Sequence, residues 1–306
     1  MTASGPSAEG VVSFQGFRTW YRIVGTDLAR PPLLVVHGGP GASHDYLEPL
    51  EALATDRRVI FYDQLGGGKS DHPHNPSLWT VSLFLDELAT LRRALGLHQV
   101  HLFGHSWGGM LALEHALEAS QGIASLVVAN AAPNMSEWRA ELARLRAELP
   151  PEFRDALLKH EAAGTTSHVE YLAAVLAFYK RHVCRLAPWP PCLNRTFAGV
   201  TRDPEVYQTM YGPNDLHVTG RLRDWSVSER LSKLRIPALV LSGRYDHATR
   251  SVVDKLHRGL IGSEWIELEH SSHTPHLEET TRFLEAVRAF LRRVEATTSR
   301  PIRNQS

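Results

Sequence analysis

The chain has 306 residues, which at about 150 residues per domain allows one large domain or one domain carrying an insertion. Hydrophobic residues make up 43% and charged residues 22%, which supplies a core and excludes a largely disordered chain. Lys plus Arg number 33, as do Asp plus Glu, so the formal charge is zero and the basic excess of a nucleic-acid binder is missing.

The N-terminal stretch 1–10 is small and polar, without the basic start and apolar run of a secretory signal. No apolar run in the chain approaches the roughly 18 residues of a membrane span. Together these features predict a cytoplasmic protein with neither nucleic-acid nor membrane partners.

The first 130 residues alternate between strand and helix patterns. VVSF (11–14) and WYRIV (20–24) form a predicted opening hairpin. LLVVHGG (33–39), RVIFYD (58–63), VHLFG (100–104) and IASLVVAN (123–130) are continuous apolar runs, the form of buried parallel strands. Between them, Phe84, Leu88, Leu91 and Leu95 fall on one helical stripe, with Thr80 as cap and Gly96 just past the end. WGGMLALEHALEA, directly after Ser106, also reads as a helix. Such alternation predicts an α/β fold, a mostly parallel sheet with helices on both faces.

From about 133 to 232 the pattern is helical, with SEWRAELARLRAEL (136–149) and SHVEYLAAVLAFYKRHV (167–183) as helices and a proline cluster at 188–191. This predicts an inserted helical cap at 133–232 between core segments 1–132 and 233–306. Strand patterns return at PALVLSG (237–243) and EWIELE (264–269). A closing helix at 282–294 carries Phe283, Val287, Phe290 and Val294 on one stripe, and the last dozen residues are polar and expected to be loose. Cys184 and Cys192, in CRLAPWPPC, lack CxxC or zinc spacing; their separation permits a small disulfide loop, and reduced thiols are the expected reading.

The chemistry gathers around Gly104-His105-Ser106-Trp107-Gly108, a G-x-S-x-G pattern with a strand before it and a helix after it. A serine on so tight a turn takes strained backbone angles, so small neighbours are needed. A serine hydroxyl also needs a base, in turn oriented by a carboxylate. On this type of fold the chain order is serine, acid, histidine. Asp246 follows the strand PALVLSG, and His273 follows EWIELE. Both fall where strand C-termini meet loops, the active edge of an open α/β sheet. The chain holds 17 histidines, and His270, His276 and His247 compete with His273 on position alone.

An oxyanion needs backbone donors. The N–H of Trp107 and that of Gly39, in the His37-Gly38-Gly39-Pro40-Gly41 loop, are the candidates, and Gly38 is a candidate substrate contact. Neither GxGxxG nor a P-loop is present, and LGGGKS (65–70) has the wrong glycine spacing. His37, His101 and His105 have no HExxH-type spacing, so neither metal nor cofactor is expected.

The sequence resembles the proline iminopeptidases, a branch of the α/β-hydrolase superfamily. The likeness is carried by HGGPGASHDYLEPL (37–50), FYDQLGGGKSD (61–71), PSLWTVSLFLDEL (76–88), GHSWGGMLALEHA (104–116), SGRYDHAT and HSSHTPHLE. It continues into the insertion through RHVCRLAPWP (181–190) and MYGPNDLHVTGRLRDWS (210–226), and so covers nearly the whole chain. The resemblance implies an α/β-hydrolase fold and hydrolysis that releases an N-terminal residue, often proline, from a peptide or amide. It implies a Ser106, Asp246 and His273 triad, with Gly39 and Trp107 as oxyanion donors. The family binds the substrate's amino group with acids, one in a cap segment that reads Gly212-Pro213-Asn214-Asp215-Leu216 here. Asp215 takes that place, while His247 stands where the family has a glutamate after the catalytic aspartate. An amidase, esterase or lactonase acting on a molecule without a free amine is the alternative. A binding protein with vestigial catalysis is a third reading, opposed by the intact serine, histidine and aspartate.

Overall fold

The computed structural model describes residues 7–298. Its first strands, β1 (Ser7–Phe14) and β2 (Phe17–Val24), form the expected antiparallel hairpin. β3 (Leu33–Val36), β4 (Val59–Tyr62), β5 (Val100–His105) and β6 (Ile123–Ala129) follow, with helices α1 (Val81–Ala94) and α2 (Trp107–Glu118) between the later strands. Between β6 and the next strand come α3 (Met135–Ala147), α4 (Pro151–Ala162), α5 (Val169–His182), α6 (Pro191–Arg202) and α7 (Glu205–Met210). The chain then finishes with β7 (Ala238–Gly243), α8 (Arg250–Gly259), β8 (Glu264–Leu268), the single turn α9 (Pro275–Glu278) and α10 (Thr280–Thr298).

The sheet has eight strands in the order β1-β2-β4-β3-β5-β6-β7-β8. β2 pairs antiparallel with β4, and from β4 onward all pairs are parallel. Successive residues of a strand point to opposite faces, so the apolar runs supply two cores at once. Leu34, Ile60, Leu102 and Val240 pack on one side with Phe84 and Leu88 of α1, Met110 of α2 and Leu256 of α8. Leu33, Phe61, Phe103 and Leu239 face the other side, against Phe283, Val287 and Phe290 of α10. Thr80 caps α1 as expected, its hydroxyl accepting from Leu83 N–H at 3.1 Å, and Gly96 takes φ +63° just past its end. Both cysteines are free.

The segment between β6 and β7 is helical, and its two ends meet. Asn134 bridges Ser226, and Val227 N–H donates to Pro133 O at 2.9 Å. Two of its helices begin on prolines. Pro151 opens α4 and Pro191 opens α6, because a first-turn residue needs no N–H and proline already holds a helical φ. A 3-10 stretch, Asp45–Thr55, was also not foreseen. The insertion is tied to the core by Trp79 Nε1–H to Glu205 at 2.7 Å, Arg221 to Trp79 O at 2.8 Å, and Arg195 to Asp45 at 3.1 Å.

Glu87 of α1 is buried, accepting Thr19 Oγ1–H at 2.5 Å and Leu65 N–H at 3.0 Å. Burial pushes its carboxyl from 4.5 up to about 8, against the pull of those donors. The unfolded chain releases this proton near 4.5 while the folded chain keeps it to about 8, so stability falls as pH rises across that window. Glu87→Gln should flatten this part of the pH dependence, read from urea midpoints at about pH 5 and about pH 8. An unchanged slope would show that the group ionises in the fold.

Candidate active site

Ser106 sits between β5 and α2 at φ +55° and ψ −125°, in the left-handed region that a non-glycine residue rarely adopts. The turn closes only because its neighbours lack side chains. A Cβ on Gly104 would lie 2.2 Å from Gly108 O, and one on Gly108 would lie 2.1 Å from Val36 O. Ser106 N–H donates to Ala129 O at 2.9 Å, which pins the turn to the end of β6. The hydroxyl faces a cavity of about 440 Å3, and His273, Gly38, Gly39 and Asp215 line the same cavity.

His273 and Asp246 meet although 27 residues separate them. His273 Nδ1–H donates to Asp246 Oδ1 at 2.8 Å. The same oxygen accepts Ala248 N–H at 2.9 Å, and Oδ2 accepts Asn130 Nδ2–H at 2.7 Å. Burial opposes charge on both partners, but each stabilises the other. Asp246 is held below the usual carboxylate range, and the His273 imidazole is raised above its ordinary 6.5. Asn130, at φ +54° after β6, also donates to Ser272 O at 3.2 Å, so one amide ties the acid to the histidine loop. The sequence reading missed it. Its only signal was an asparagine directly after a strand, where a left-handed turn suits that residue.

His273 is surrounded by other imidazoles. His270 is exposed, and His276 is buried with both ring nitrogens unpartnered, so neither rivals His273 for Asp246. Burial and the neighbouring imidazoles push His105 well below 6.5 and His276 down to about 3. His247 is likewise driven down by burial and by His273. Its ring lies against His273, tilted by 32° with centroids 4.1 Å apart, and Nδ1 accepts Trp138 Nε1–H at 3.1 Å. His247 is not among the residues that line the cavity.

His105, inside the G-x-S-x-G turn, belongs to a chain of hydrogen bonds. Its Nε2 lies 2.7 Å from His273 O, and a carbonyl only accepts, so Nε2 carries the proton. Nδ1 therefore accepts from Tyr46 Oη–H at 2.8 Å, and Tyr46 Oη accepts Gly38 N–H at 2.8 Å. Gly38 lines the cavity as expected of a substrate contact, but its N–H is already engaged. Gly39 N–H and Trp107 N–H have no acceptor among the described residues. Gly39 is at φ +113° on the cavity wall, and Trp107 opens α2, where helix N–H groups are unpaired.

The insertion grips both loops at the C-terminus of α5. His182 O accepts His273 N–H at 3.2 Å, His182 Nδ1–H donates to Tyr245 O at 2.8 Å, and Thr274 Oγ1 donates to Val183 O at 2.9 Å. Asp215 reaches the cavity from the segment after α7. Its Oδ1 accepts Tyr207 Oη–H at 2.8 Å.

Among the described residues, two side-chain groups have the spacing of metal ligands, Asp246/His247/His273 and His160/His168/Glu170. In the first, the Asp246–His273 bond and the Trp138 bond to His247 already occupy ligand atoms. In the second, the His160 and His168 rings stack 16° from parallel at 4.3 Å, so their in-plane lone pairs do not converge.

A family model described as the alpha/beta hydrolase fold matches residues 31–280. A proline iminopeptidase of Lactobacillus acidophilus is 38% identical over 288 residues, covering 92% of this chain and 97% of that protein. The crystal structure of VinJ superposes with a TM-score of 0.92 at 48% identity, over 94% of this chain and 99% of that one. The crystal structure of the Mycobacterium smegmatis proline iminopeptidase gives 0.88 at 39% identity, over 95% of this chain and 100% of that one.

The unequal environments of the histidines are directly measurable. Followed by NMR, His273 should titrate above 6.5 while His105, His247 and His276 remain neutral through that range. Asp246→Asn should bring the His273 midpoint down, because the attraction that opposes burial is gone. A His273 midpoint at or below 6.5 in the wild-type chain would contradict the pairing.

Proposed function

The chain belongs to the proline iminopeptidases of the α/β-hydrolase fold family, and from that premise we propose that it is a serine aminopeptidase acting through Ser106, His273 and Asp246. The observation that carries the reading is the Asp246–His273 hydrogen bond at 2.8 Å, beside a strained serine that faces the same cavity.

Catalysis follows from these groups. Neutral His273 takes the Ser106 hydroxyl proton as the oxygen attacks the carbonyl carbon after the N-terminal residue. Asp246, already ionised, holds the imidazole in the Nδ1–H tautomer and stabilises the imidazolium that forms. Gly39 and Trp107 N–H groups receive the oxyanion. His273 then protonates the departing amine nitrogen, the C–N bond breaks, and an aminoacyl ester remains on Ser106. Water, deprotonated by His273, hydrolyses that ester and returns the proton to Ser106. Before attack, Asp215 pairs with the substrate's ammonium, which would otherwise be buried without a counter-charge.

Segment 133–232 acts in this reading as a cap over a core made of 1–132 and 233–306. It carries Asp215 and, through His182, braces both triad loops. Among the described residues no helix is long and apolar enough to cross a membrane, and both thiols are free, which supports cytoplasmic residence.

Prolyl, alanyl and leucyl chromogenic amides, each with a free and an acetylated amine, test the proposal. Free-amine forms should be hydrolysed and acetylated forms should not. Ser106→Ala should fold and lose activity by at least ~10³-fold. Equal turnover of acetylated amides, or of esters alone, would overturn the aminopeptidase reading and favour an amidase or esterase. Activity should also fall in acid with a midpoint above 6.5, because the base must be neutral and its imidazole is raised.

A further inference from the structure

The charge of the cavity wall points to the kind of amine that leaves. The cavity, about 440 Å3, is larger than a single N-terminal residue needs and extends from Ser106 between α5, α6 and the segment after α7. Apolar side chains such as Val175, Leu193, Phe197, Val200 and Pro213 line it, together with uncharged polar ones such as Thr196 and Asn214. Exposed Ser167, Leu172, Thr201 and Gln208 rim the opening. Among the described residues, no lysine or arginine lines it.

The imidazoles on the wall do not supply a cation either. His105 is held neutral by burial and by its bonds to Tyr46 and His273 O. His273 must be neutral to accept the serine proton. Arg195, on α6, points its guanidinium to Asp45 and Glu48. The charged side chain that does face the cavity is an acid, Asp215.

A dipeptide carries two charges. Its ammonium meets Asp215, but its carboxylate lies one residue past the scissile bond, within about 3.5 Å of chain from it. There no lysine or arginine of the lining can pair with it, and the charged side chain that lines the cavity, Asp215, is itself a carboxylate. Such a group is penalised by desolvation and by repulsion. We propose that the site is selective for substrates whose leaving amine has no carboxylate next to the scissile bond: peptide amides, neutral amines, and longer peptides whose carboxylate reaches water past the rim. This rests on the aminopeptidase reading above and adds the class of leaving group to it.

The experiment compares prolyl-leucine, prolyl-leucinamide and a prolyl-leucyl-leucyl-leucine acid, with prolyl p-nitroanilide as reference. kcat/KM for the amide should exceed that for the dipeptide acid by at least about 30-fold, with the tetrapeptide acid close to the amide. Leu172, 53% exposed at the rim, accepts a longer polar side chain without disturbing the core. Leu172→Lys should supply the missing cation and reduce the amide-to-acid ratio by at least about fivefold, and added salt should reduce the effect of the lysine. Equal kcat/KM for the dipeptide acid and amide, with the anilide hydrolysed, would overturn this inference and leave the aminopeptidase reading standing. A ratio unmoved by Leu172→Lys would also overturn it, since the discrimination would not then arise from charge. An anilide that is not hydrolysed would overturn the underlying reading and this inference with it.

Discussion

Everything in the site depends on one buried hydrogen bond, between His273 Nδ1–H and Asp246 Oδ1. It joins the loop after β7 to the loop after β8, and it sets a carboxylate against an imidazole where burial disfavours charge on either. A buried pair of this kind persists only when its remaining lone pairs are satisfied. Ala248 N–H and Asn130 Nδ2–H supply that satisfaction, and Asn130 also holds the histidine loop through Ser272 O. The carboxylate is therefore fixed on three sides, which fixes the imidazole that it orients.

The surrounding histidines have a complementary effect. His105 and His247 pack against His273, His276 packs against His105, and all three are pushed toward neutrality. Like charges next to His273 would lower its basicity, so a base can operate here only if its neighbours stay uncharged. Tyr46 and His105 couple this arrangement to the oxyanion loop through an unbroken run of donors and acceptors from Gly38 N–H to His273 O. The helices between β6 and β7 add a further brace at His182 and Val183. The C-terminal end of α5 is thereby bonded to the loops that carry Asp246 and His273.

Much of this was legible in the sequence. Buried parallel strands leave continuous apolar runs, and a strained serine leaves glycines at fixed offsets, because both are local constraints. Ser106, Asp246 and His273 could be found because each follows a recognisable strand. Asn130, Tyr46 and His182 could not. Their roles exist only through partners far along the chain, such as Asp246 for Asn130 and His105 for Tyr46. The surroundings of His247 were illegible for a related reason. It is adjacent to Asp246 in sequence, but the turn sends its side chain behind His273 to Trp138 and away from the cavity. The helix starts at Pro151 and Pro191 were not read from the sequence, although proline favours the first turn of a helix.

The most direct test of the central claim is covalent. A fluorophosphonate reacts only with a serine whose proton an adjacent base removes. Peptide mapping after brief exposure should place one adduct on Ser106, absent from Ser106→Ala and strongly slowed in His273→Ala. An adduct on another residue, or labelling of Ser106 at an undiminished rate without His273, would contradict the account.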